Sequence, residues 1–120
     1  MVPIQRGDVV LADLPFVQDF TQTKKRPVLV VQNNVGNRSS SNTIVLAISS
    51  QPPAKDYPFH FRIPANSDIG KAAGLIQDSV VQAEIILTIP QALISKKLGI
   101  LSEPVMHEIE KCIKVSLALI

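Results

Sequence analysis

Hydrophobic positions in the first half of the chain form short runs that are separated by polar segments. Residues 8–14 make an apolar-rich run, and residues 27–32 and 43–49 make two nearly continuous aliphatic runs. Runs of this length are typical of strands, and the continuous ones are typical of strands buried inside a sheet. The intervening residues 16–25 and 33–42 are rich in polar side chains and predict two loops.

The middle of the chain adds further short strands. Residues 59–63 alternate between apolar and polar positions, which predicts a half-exposed strand. Residues 79–84 predict another strand that extends towards Leu87, and Gly70 and Gly74 predict a turn before it. Several short strands with turns between them indicate a small antiparallel β-barrel.

The last third of the sequence is helical in character. Pro90 suits the first turn of a short helix that would run to about Lys97, and Gly99 is the signal that stops it. Ser102 is predicted to cap a longer C-terminal α-helix, because apolar residues recur at helical spacing after it. These residues are Val105, Met106, Ile109, Cys112, Ile113 and Leu117. With strands first and a helix last, the sequence predicts the α+β class.

Length and composition narrow the picture. A chain of 120 residues is predicted to form one domain over residues 1–120. The chain is 46% apolar and only 18% charged, so it has more apolar surface than a small core hides, which predicts a homodimer. The net charge is +2. Binding of a nucleic acid would therefore depend on a local cluster of cations.

The scarcity of cysteine and histidine excludes several kinds of site. One cysteine cannot form an internal disulfide, and two histidines with one cysteine give no metal-ligand spacing. We therefore expect no metal and no other cofactor. The sequence also has neither the pattern of a signal peptide nor an apolar run long enough to cross a membrane. These features predict a cytoplasmic protein.

Three consecutive cations, Lys24, Lys25 and Arg26, precede Pro27 where the second aliphatic run begins. Pro27 has a fixed φ and favours an extended backbone at Arg26, which would hold the guanidinium rigidly at the entrance of a strand. A planar, permanently charged group in this position suits recognition of phosphate or carboxylate. The alternative interpretation is that the three cations only solvate the strand entrance.

Ser49 ends the third predicted strand and is followed by Ser50 and Gln51. Polar groups at the end of a buried strand can donate hydrogen bonds to an anionic ligand. Alternatively, Ser49 hydrogen-bonds only the neighbouring backbone, as serine at strand ends often does. His60 should point away from its two aromatic neighbours. It is interpreted either as a general base or as their solvent-facing partner.

Six short segments, in their order and spacing, carry a resemblance to a known family. They are RGDVV at 6–10, KRPVLVV at 25–31, IVLAIS at 44–49, GL at 74–75, DSVV at 78–81 and LGIL at 98–101. With them the chain resembles the MazF/PemK toxin endoribonucleases, in their PemK-like branch. The resemblance implies an SH3-like antiparallel barrel with a C-terminal helix, assembled as a homodimer. It also implies a type II toxin that cuts single-stranded RNA without a metal and is restrained by a cognate antitoxin protein.

By position, the resemblance implies that Arg26 is the catalytic arginine. Ser49 stands where the family usually has a catalytic threonine, and it keeps the hydroxyl. When a ribose 2′-hydroxyl attacks, Arg26 would stabilise the charge that develops on the phosphate, and Ser49 would donate to a non-bridging oxygen. Protonation of the leaving 5′-oxygen is a second role open to Arg26. The group that removes the 2′-proton stays open between His60 and solvent.

Further residues are predicted to contact RNA. Lysines would hold flanking phosphates, polar side chains would meet base edges or the anion, and one aromatic ring would either stack on a base or anchor its loop. In chain order, these residues are Phe20, Thr21, Gln22, Lys24, Lys25, Ser50 and Gln51. The sequence of residues 19–23 and the presence of Ile85 after Glu84 depart from many members, which leaves the RNA motif open.

Two other functions remain as alternatives at this point. The first is a non-enzymatic toxin on the same fold that binds DNA gyrase, as CcdB does. A gyrase binder has no need of a phosphate-facing arginine opposite a hydroxyl, which argues against it. The second is a degenerate relative that keeps the barrel and only binds an antitoxin or RNA.

Overall fold

The computed structural model describes residues 1–15 and 23–119, and this part of the chain contains six β-strands and three α-helices. The strands are β1 (Asp8–Pro15), β2 (Thr23–Val30), β3 (Asn42–Ser49), β4 (His60–Ile63), β5 (Ser79–Pro90) and β6 (Ile94–Ile100). The helices are α1 (Asn34–Ser39), α2 (Asp68–Ala73) and α3 (Glu103–Ser116), and a 3₁₀ turn, Gln91–Leu93, joins β5 to β6. None of the helices described is long and apolar enough to cross a membrane.

All six strands form one antiparallel sheet in the order β4-β5-β3-β2-β1-β6. β5 contains a bulge, since Leu46 pairs with Ile86 while the next residue, Ala47, pairs with Gln82. A bulge bends a strand and increases its twist. β4 and β6 are the edges, and among the described strands no pairing joins these two edges. The α+β class and the antiparallel strands are thus confirmed, and the sheet is not closed into a barrel by hydrogen bonds.

Both faces of the central strands are covered. Leu29 and Leu46 belong to a core that also contains Ile109 of α3, and we refer to it as the helix-side core. Val28 lies next to Leu29 but belongs to a second core on the other face, together with Ile4 from the N-terminal segment. Since alternate side chains point to opposite faces, a strand covered on both sides reads as a continuous aliphatic run. This confirms the interpretation of residues 43–49 as a buried strand, and of residues 27–32 as far as Val30, where β2 ends.

The polar segment 33–42 is not a loop throughout, because it contains α1. Asn33 caps this helix, and its side-chain oxygen accepts a hydrogen bond from the Gly36 N–H at 2.7 Å. The prediction of a loop was wrong because α1 has no apolar stripe. Its buried residue is the polar Asn37. Hydrogen bonds, rather than hydrophobic periodicity, hold the helix in place.

The buried Asn37 side chain ties α1 to its surroundings through both of its polar atoms. Oδ1 accepts hydrogen bonds from Thr43 Oγ1 at 2.7 Å and from Gln32 Nε2 at 3.0 Å, and Nδ2 donates to the Gln32 carbonyl at 3.1 Å. Gln91 Nε2 in turn donates to the Asn37 carbonyl at 2.9 Å. This network joins α1 to β3 and to the turn after β5.

We expect Asn37→Ala to lower the free energy of unfolding by about 2 kcal/mol, because it leaves the buried Thr43 hydroxyl without its partner and removes two hydrogen bonds with the half-buried Gln32. Urea denaturation checks this value. Ser39→Ala changes an exposed residue of the same helix and should stay within about 0.5 kcal/mol of the wild type. Equal stability of the two variants would contradict the importance of the network.

The turn predicted at Gly70 and Gly74 is wrong, since Gly70 lies within α2 and Gly74 ends that helix. Gly74 has a left-handed backbone with φ of 72°, and its N–H bonds the carbonyls of Gly70 and Lys71. Glycine in this conformation is the common C-terminal cap of a helix. The sequence signal for such a cap in a six-residue helix is the same as the signal for a turn.

The helix predicted from Pro90 to Lys97 is also wrong, because Ile94–Ile100 forms β6. This strand pairs with β1, with Val9 opposite Gly99 and Leu11 opposite Lys96. The register shifts twice along the pair. Each shift interrupts the alternation that identifies a strand in a sequence, so the period-two signal is lost.

The C-terminal helix is confirmed as α3. Ser102 occupies its N-cap position, although no capping hydrogen bond of its side chain is found in the described structure. The buried residues of α3 are Met106, Ile109 and Cys112. Burial, followed by the nearby Glu108 carboxylate, raises the pKa of the Cys112 thiol above its ordinary value, which fits a core residue. Leu117 is 50% exposed and does not belong to the buried stripe, because α3 ends at Ser116.

Candidate active site

The three consecutive cations lie within β2 and are exposed. The loop predicted as far as Lys25 ends earlier, because the backbone pairs with β1 from Thr23 onwards. Lys25 lies opposite Asp13, and its Nζ is 3.1 Å from Asp13 Oδ1. Backbone pairing therefore extends β2 into residues 23–25, whose polar side chains predict a loop. Arg26 is held within a paired strand, opposite Ala12.

Pro27 is where the pairing between β2 and β3 stops. The described ladder ends with Val28 opposite Ala47, and Pro27 has no N–H that could continue it. Since side chains alternate, Arg26 lies on the same face as Val28, and Ser49 lies on the same face as Ala47. Arg26 and Ser49 therefore lie on the same face of the sheet, beyond the last pair of the two strands.

Ser49 is hydrogen-bonded to the backbone that follows it. Its Oγ accepts a hydrogen bond from the Gln51 N–H at 3.1 Å. This is a bond to the neighbouring backbone, as the alternative interpretation of the sequence expected. A hydroxyl that accepts one hydrogen bond keeps its own hydrogen for donation. Ser49 also pairs with Val80 of β5, so its backbone is fixed on the side away from β2.

A groove of about 580 Å³, the basic groove, opens at this end of the sheet. Its cations are Lys24, Lys25, Arg26 and Lys96. Its apolar lining consists of Leu11, Pro27, Ile48, Gly74, Leu75, Ile76 and Leu98, and its polar lining consists of Ser50, Gln77 and Ser79. Cations beside apolar surface suit a ligand that carries phosphates and also exposes flat bases. Ile48 and Leu75 also belong to the helix-side core, so most of the groove lies on that face of the sheet. Arg26 and Ser49 share the other face with Val28, and Ser49 is not among the lining residues. Arg26, which lines the groove, is thus the residue common to both.

Sequence reasoning missed the contributions of β6 and of residues 74–79 to the groove. Lys96 reaches it because β6 pairs with β1, where Lys96 lies opposite Leu11. The doublet Lys96-Lys97 was a usable signal, since it is a second cation cluster in a chain with a net charge of only +2. The incorrect helix at residues 90–97 concealed that signal.

The remaining predicted RNA contacts divide into two groups. Phe20, Thr21 and Gln22 lie outside the described residues, and their roles stay predictions. Ser50 lines the basic groove. Gln51, the next residue, is exposed and is not among the lining residues described. The contacts of Ser50 and Gln51 with RNA also stay predictions.

His60 is not the solvent-facing residue that one interpretation of the sequence suggested. Its side chain is only 6% exposed, and its Nε2 lies 2.8 Å from Glu84 Oε2. The rings of Tyr57 and Phe59 pack edge-on against the imidazole at 5.3 and 4.8 Å. Nδ1 is buried without a hydrogen-bond partner among the described residues. The proposed role of His60 in proton transfer stays a prediction, and it would have to act from a buried position.

No group of three histidine, cysteine, aspartate or glutamate side chains within residues 1–15 and 23–119 is arranged to hold a metal ion. The metal-independent chemistry expected from the sequence stays a prediction.

Comparison with known proteins identifies the relatives of this chain. A family model of the PemK-like, MazF-like toxins of type II toxin-antitoxin systems matches residues 5–117. The chain belongs to this family. Endoribonuclease EndoA of Bacillus subtilis (strain 168) is 39% identical over 117 residues, which cover 98% of this chain and 97% of that protein. The resemblance drawn from six short segments is thus confirmed.

Solved structures of the family have the same fold. An endoribonuclease in complex with its cognate antitoxin, from a mycobacterial species, matches with a TM-score of 0.77 and 20% identity, over 98% of this chain and 97% of that chain. A MazE–MazF crystal structure from Deinococcus radiodurans gives a TM-score of 0.73 and 18% identity, over 98% of both chains. The family and these relatives give no support to the gyrase-binding alternative.

Proposed function

We propose that this protein is the toxin of a type II toxin-antitoxin system and acts as a sequence-specific endoribonuclease. Its substrate is single-stranded RNA, and cutting messenger RNA inhibits translation and growth. The observation that carries the proposal is family membership over residues 5–117 together with 39% identity to an endoribonuclease. The arrangement of Arg26 and Ser49 on one sheet face, with Arg26 also lining the basic groove, supports it further.

The reaction that this arrangement suits is an attack of the ribose 2′-hydroxyl on the adjacent phosphate. The attack builds negative charge on the phosphate oxygens, and fixed donors directed at those oxygens stabilise the transition state. In this proposal, Arg26 stabilises the charge and Ser49 donates to a non-bridging oxygen. Arg26 is a poor general base because guanidinium deprotonation is very unfavourable. Removal of the 2′-proton is assigned to His60 or to solvent.

The partners follow from the same family. We propose that the protein works as a homodimer in the cytoplasm, that residues 1–120 form one toxin domain, and that a cognate antitoxin protein inhibits it. Exposed apolar side chains such as Ile85, Ile100 and Val115 support association with further protein surface. Lys24 and Lys25 bind flanking phosphates in this scheme, which makes the affinity for RNA salt-dependent.

Incubation of the purified protein with a long unstructured RNA in the presence of EDTA tests the activity. We expect discrete fragments that carry 5′-hydroxyl ends, because an attack by the 2′-hydroxyl leaves the 5′-oxygen as the leaving group. Sequencing the 5′ ends of the fragments gives the motif that is cut. Intact RNA under these conditions, or cleavage that needs an added divalent metal, would contradict the proposal. Binding of RNA without cleavage would instead support the degenerate relative.

A further inference from the structure

Arg62 of β4 is bound to the segment that connects β3 to β4. Its Nε donates to Asp56 Oδ1 at 2.5 Å, and its Nη2 donates to the carbonyls of Pro53 and, at 3.4 Å, of Lys55. One guanidinium thus contacts three residues of a segment, residues 50–59, that contains no helix or strand. Arginine suits this task because its planar group presents several donors in fixed directions.

The register of the sheet relates Arg62 to the proposed active site. Arg62 pairs with Val80, and Val80 pairs with Ser49 on its other side. Directly opposite residues of neighbouring strands lie on the same face, so Arg62 and Ser49 share a face with β5 between them. Neighbouring strands are about 4.8 Å apart, so the backbones of Arg62 and Ser49 lie roughly 10 Å from each other. The 50–59 segment spans this gap.

The start of the segment is stiff. Gln51 is followed by Pro52-Pro53, whose φ angles are both fixed, and the residue before a proline is itself restricted to an extended backbone. The Gln51 N–H is fixed by Ser49 Oγ at 3.1 Å, and the Pro53 carbonyl is held by Arg62. A displacement at Pro53 is therefore passed on to Gln51 and Ser50 rather than absorbed between them.

We propose that Arg62 is a positioning residue for RNA recognition. By holding Pro53 and Asp56, it sets the place of Ser50 and Gln51 relative to the basic groove and thereby contributes to the choice of the RNA sequence that is cut. This inference deepens the proposed function and rests on it. Arg62 itself does not touch the reacting atoms in this scheme.

Arg62→Lys is the test variant, because lysine keeps the charge but loses the fixed set of donors. We expect KM for RNA to rise and the ratio of cleavage at preferred and secondary sites of one long transcript to fall by about fivefold, with kcat nearly unchanged. A change of this size corresponds to the loss of roughly one ordinary hydrogen bond, as is usual for an exposed pair such as Arg62 and Asp56. Arg38→Lys makes the same substitution at an exposed position of α1, and we expect it to cut like the wild type.

Asp56→Asn removes the charged partner and leaves Arg62 in place. We expect it to lower the same ratio of cleavage at preferred and secondary sites. The double variant Arg62→Lys/Asp56→Asn should show less than the sum of the two effects, because both substitutions disrupt the same contact between residues 62 and 56. Additive effects in the double variant would count against a shared contact as the cause.

Tyr57 provides a readout that does not depend on cleavage. It is the only tyrosine of a chain without tryptophan. The residue is 38% exposed, and its ring stacks on Phe59 at 5.2 Å within the same segment. If Arg62 holds the segment, Arg62→Lys should increase the quenching of Tyr57 fluorescence by acrylamide in the folded protein. The Tm of each variant shows that the comparison is made between folded proteins.

The outcomes separate this inference from the proposed function. If the wild type leaves RNA intact, the proposed function fails and the role of Arg62 in RNA recognition fails with it. If the wild type cuts RNA and Arg62→Lys cuts the same sites in the same ratio and with the same KM, the positioning role alone is overturned. A lower kcat with an unchanged KM and unchanged site choice would also overturn it, because that result reports only a smaller folded fraction.

Discussion

Replacing Arg26 with alanine is expected to lower kcat for RNA cleavage by about 100- to 1,000-fold, the range found when one transition-state donor is removed. Arg26 lies on a paired strand, shares a sheet face with Ser49 and lines the basic groove. A fixed cation in that place acts on the charge that appears only in the transition state, so kcat changes more than KM. Single-turnover cleavage at saturating protein measures the effect.

Lys24→Ala is the matched control for this prediction. Lys24 lines the same groove and belongs to the same run of three cations. In the proposed mechanism it binds only a phosphate that flanks the cleaved one. We expect it to raise KM, to leave kcat nearly unchanged and to reduce the slope of log affinity against log salt concentration by about one. Cleavage by Arg26→Ala at the wild-type rate would reject Arg26 as a catalytic residue, and with it the proposed mechanism.

Gly99→Ala is expected to lower the free energy of unfolding by about 3 kcal/mol, at the upper end of the usual cost of overpacking. A Cβ at this position would lie 2.2 Å from the Ala72 carbonyl oxygen and 2.4 Å from the Ala73 carbonyl carbon. These are backbone atoms at the end of α2, which cannot turn away as a side chain can. Thermal unfolding at one fixed protein concentration should show Tm lowered by roughly 10 °C.

Gly36→Ala adds the same methyl group to α1 and serves as the comparison. The atoms nearest to its new Cβ belong to the Gln32 side chain, at 3.0–3.1 Å. This side chain is flexible, and alanine favours the helix over glycine by about 1 kcal/mol. We therefore expect a net change of less than about 1 kcal/mol. A Tm for Gly99→Ala as high as that of Gly36→Ala would show that α2 and β6 have room to separate.

Whether a helix or strand could be predicted from the sequence depended on the interactions that stabilise it. Strands buried on both faces, such as β3, and the amphipathic α3 produce strong hydrophobic patterns, and both were predicted correctly. α1 is stabilised by the hydrogen bonds of Asn37, and β6 carries two register shifts. Neither feature has a hydrophobic period, so both elements were predicted wrongly.

The candidate site shows the same division. Arg26 and Ser49 were proposed from the order of residues around Pro27 and at the end of a strand, together with the family resemblance. The burial of His60 against Glu84 and the contacts of Arg62 with Pro53 and Asp56 involve residues that are separated by loops or lie on different strands. A sequence read locally contains no signal for such contacts.

By itself, the sequence determined the α+β class and the family, and it led to the proposal of two residues for the chemistry. Local order was sufficient for these, because hydrophobic period and short motifs are properties of neighbouring residues. Only the tertiary structure decided that Lys96 joins the basic groove, that His60 is buried and that Arg62 holds the 50–59 segment. These facts depend on which strands become neighbours in the sheet, and strand pairing is set by packing over the whole chain.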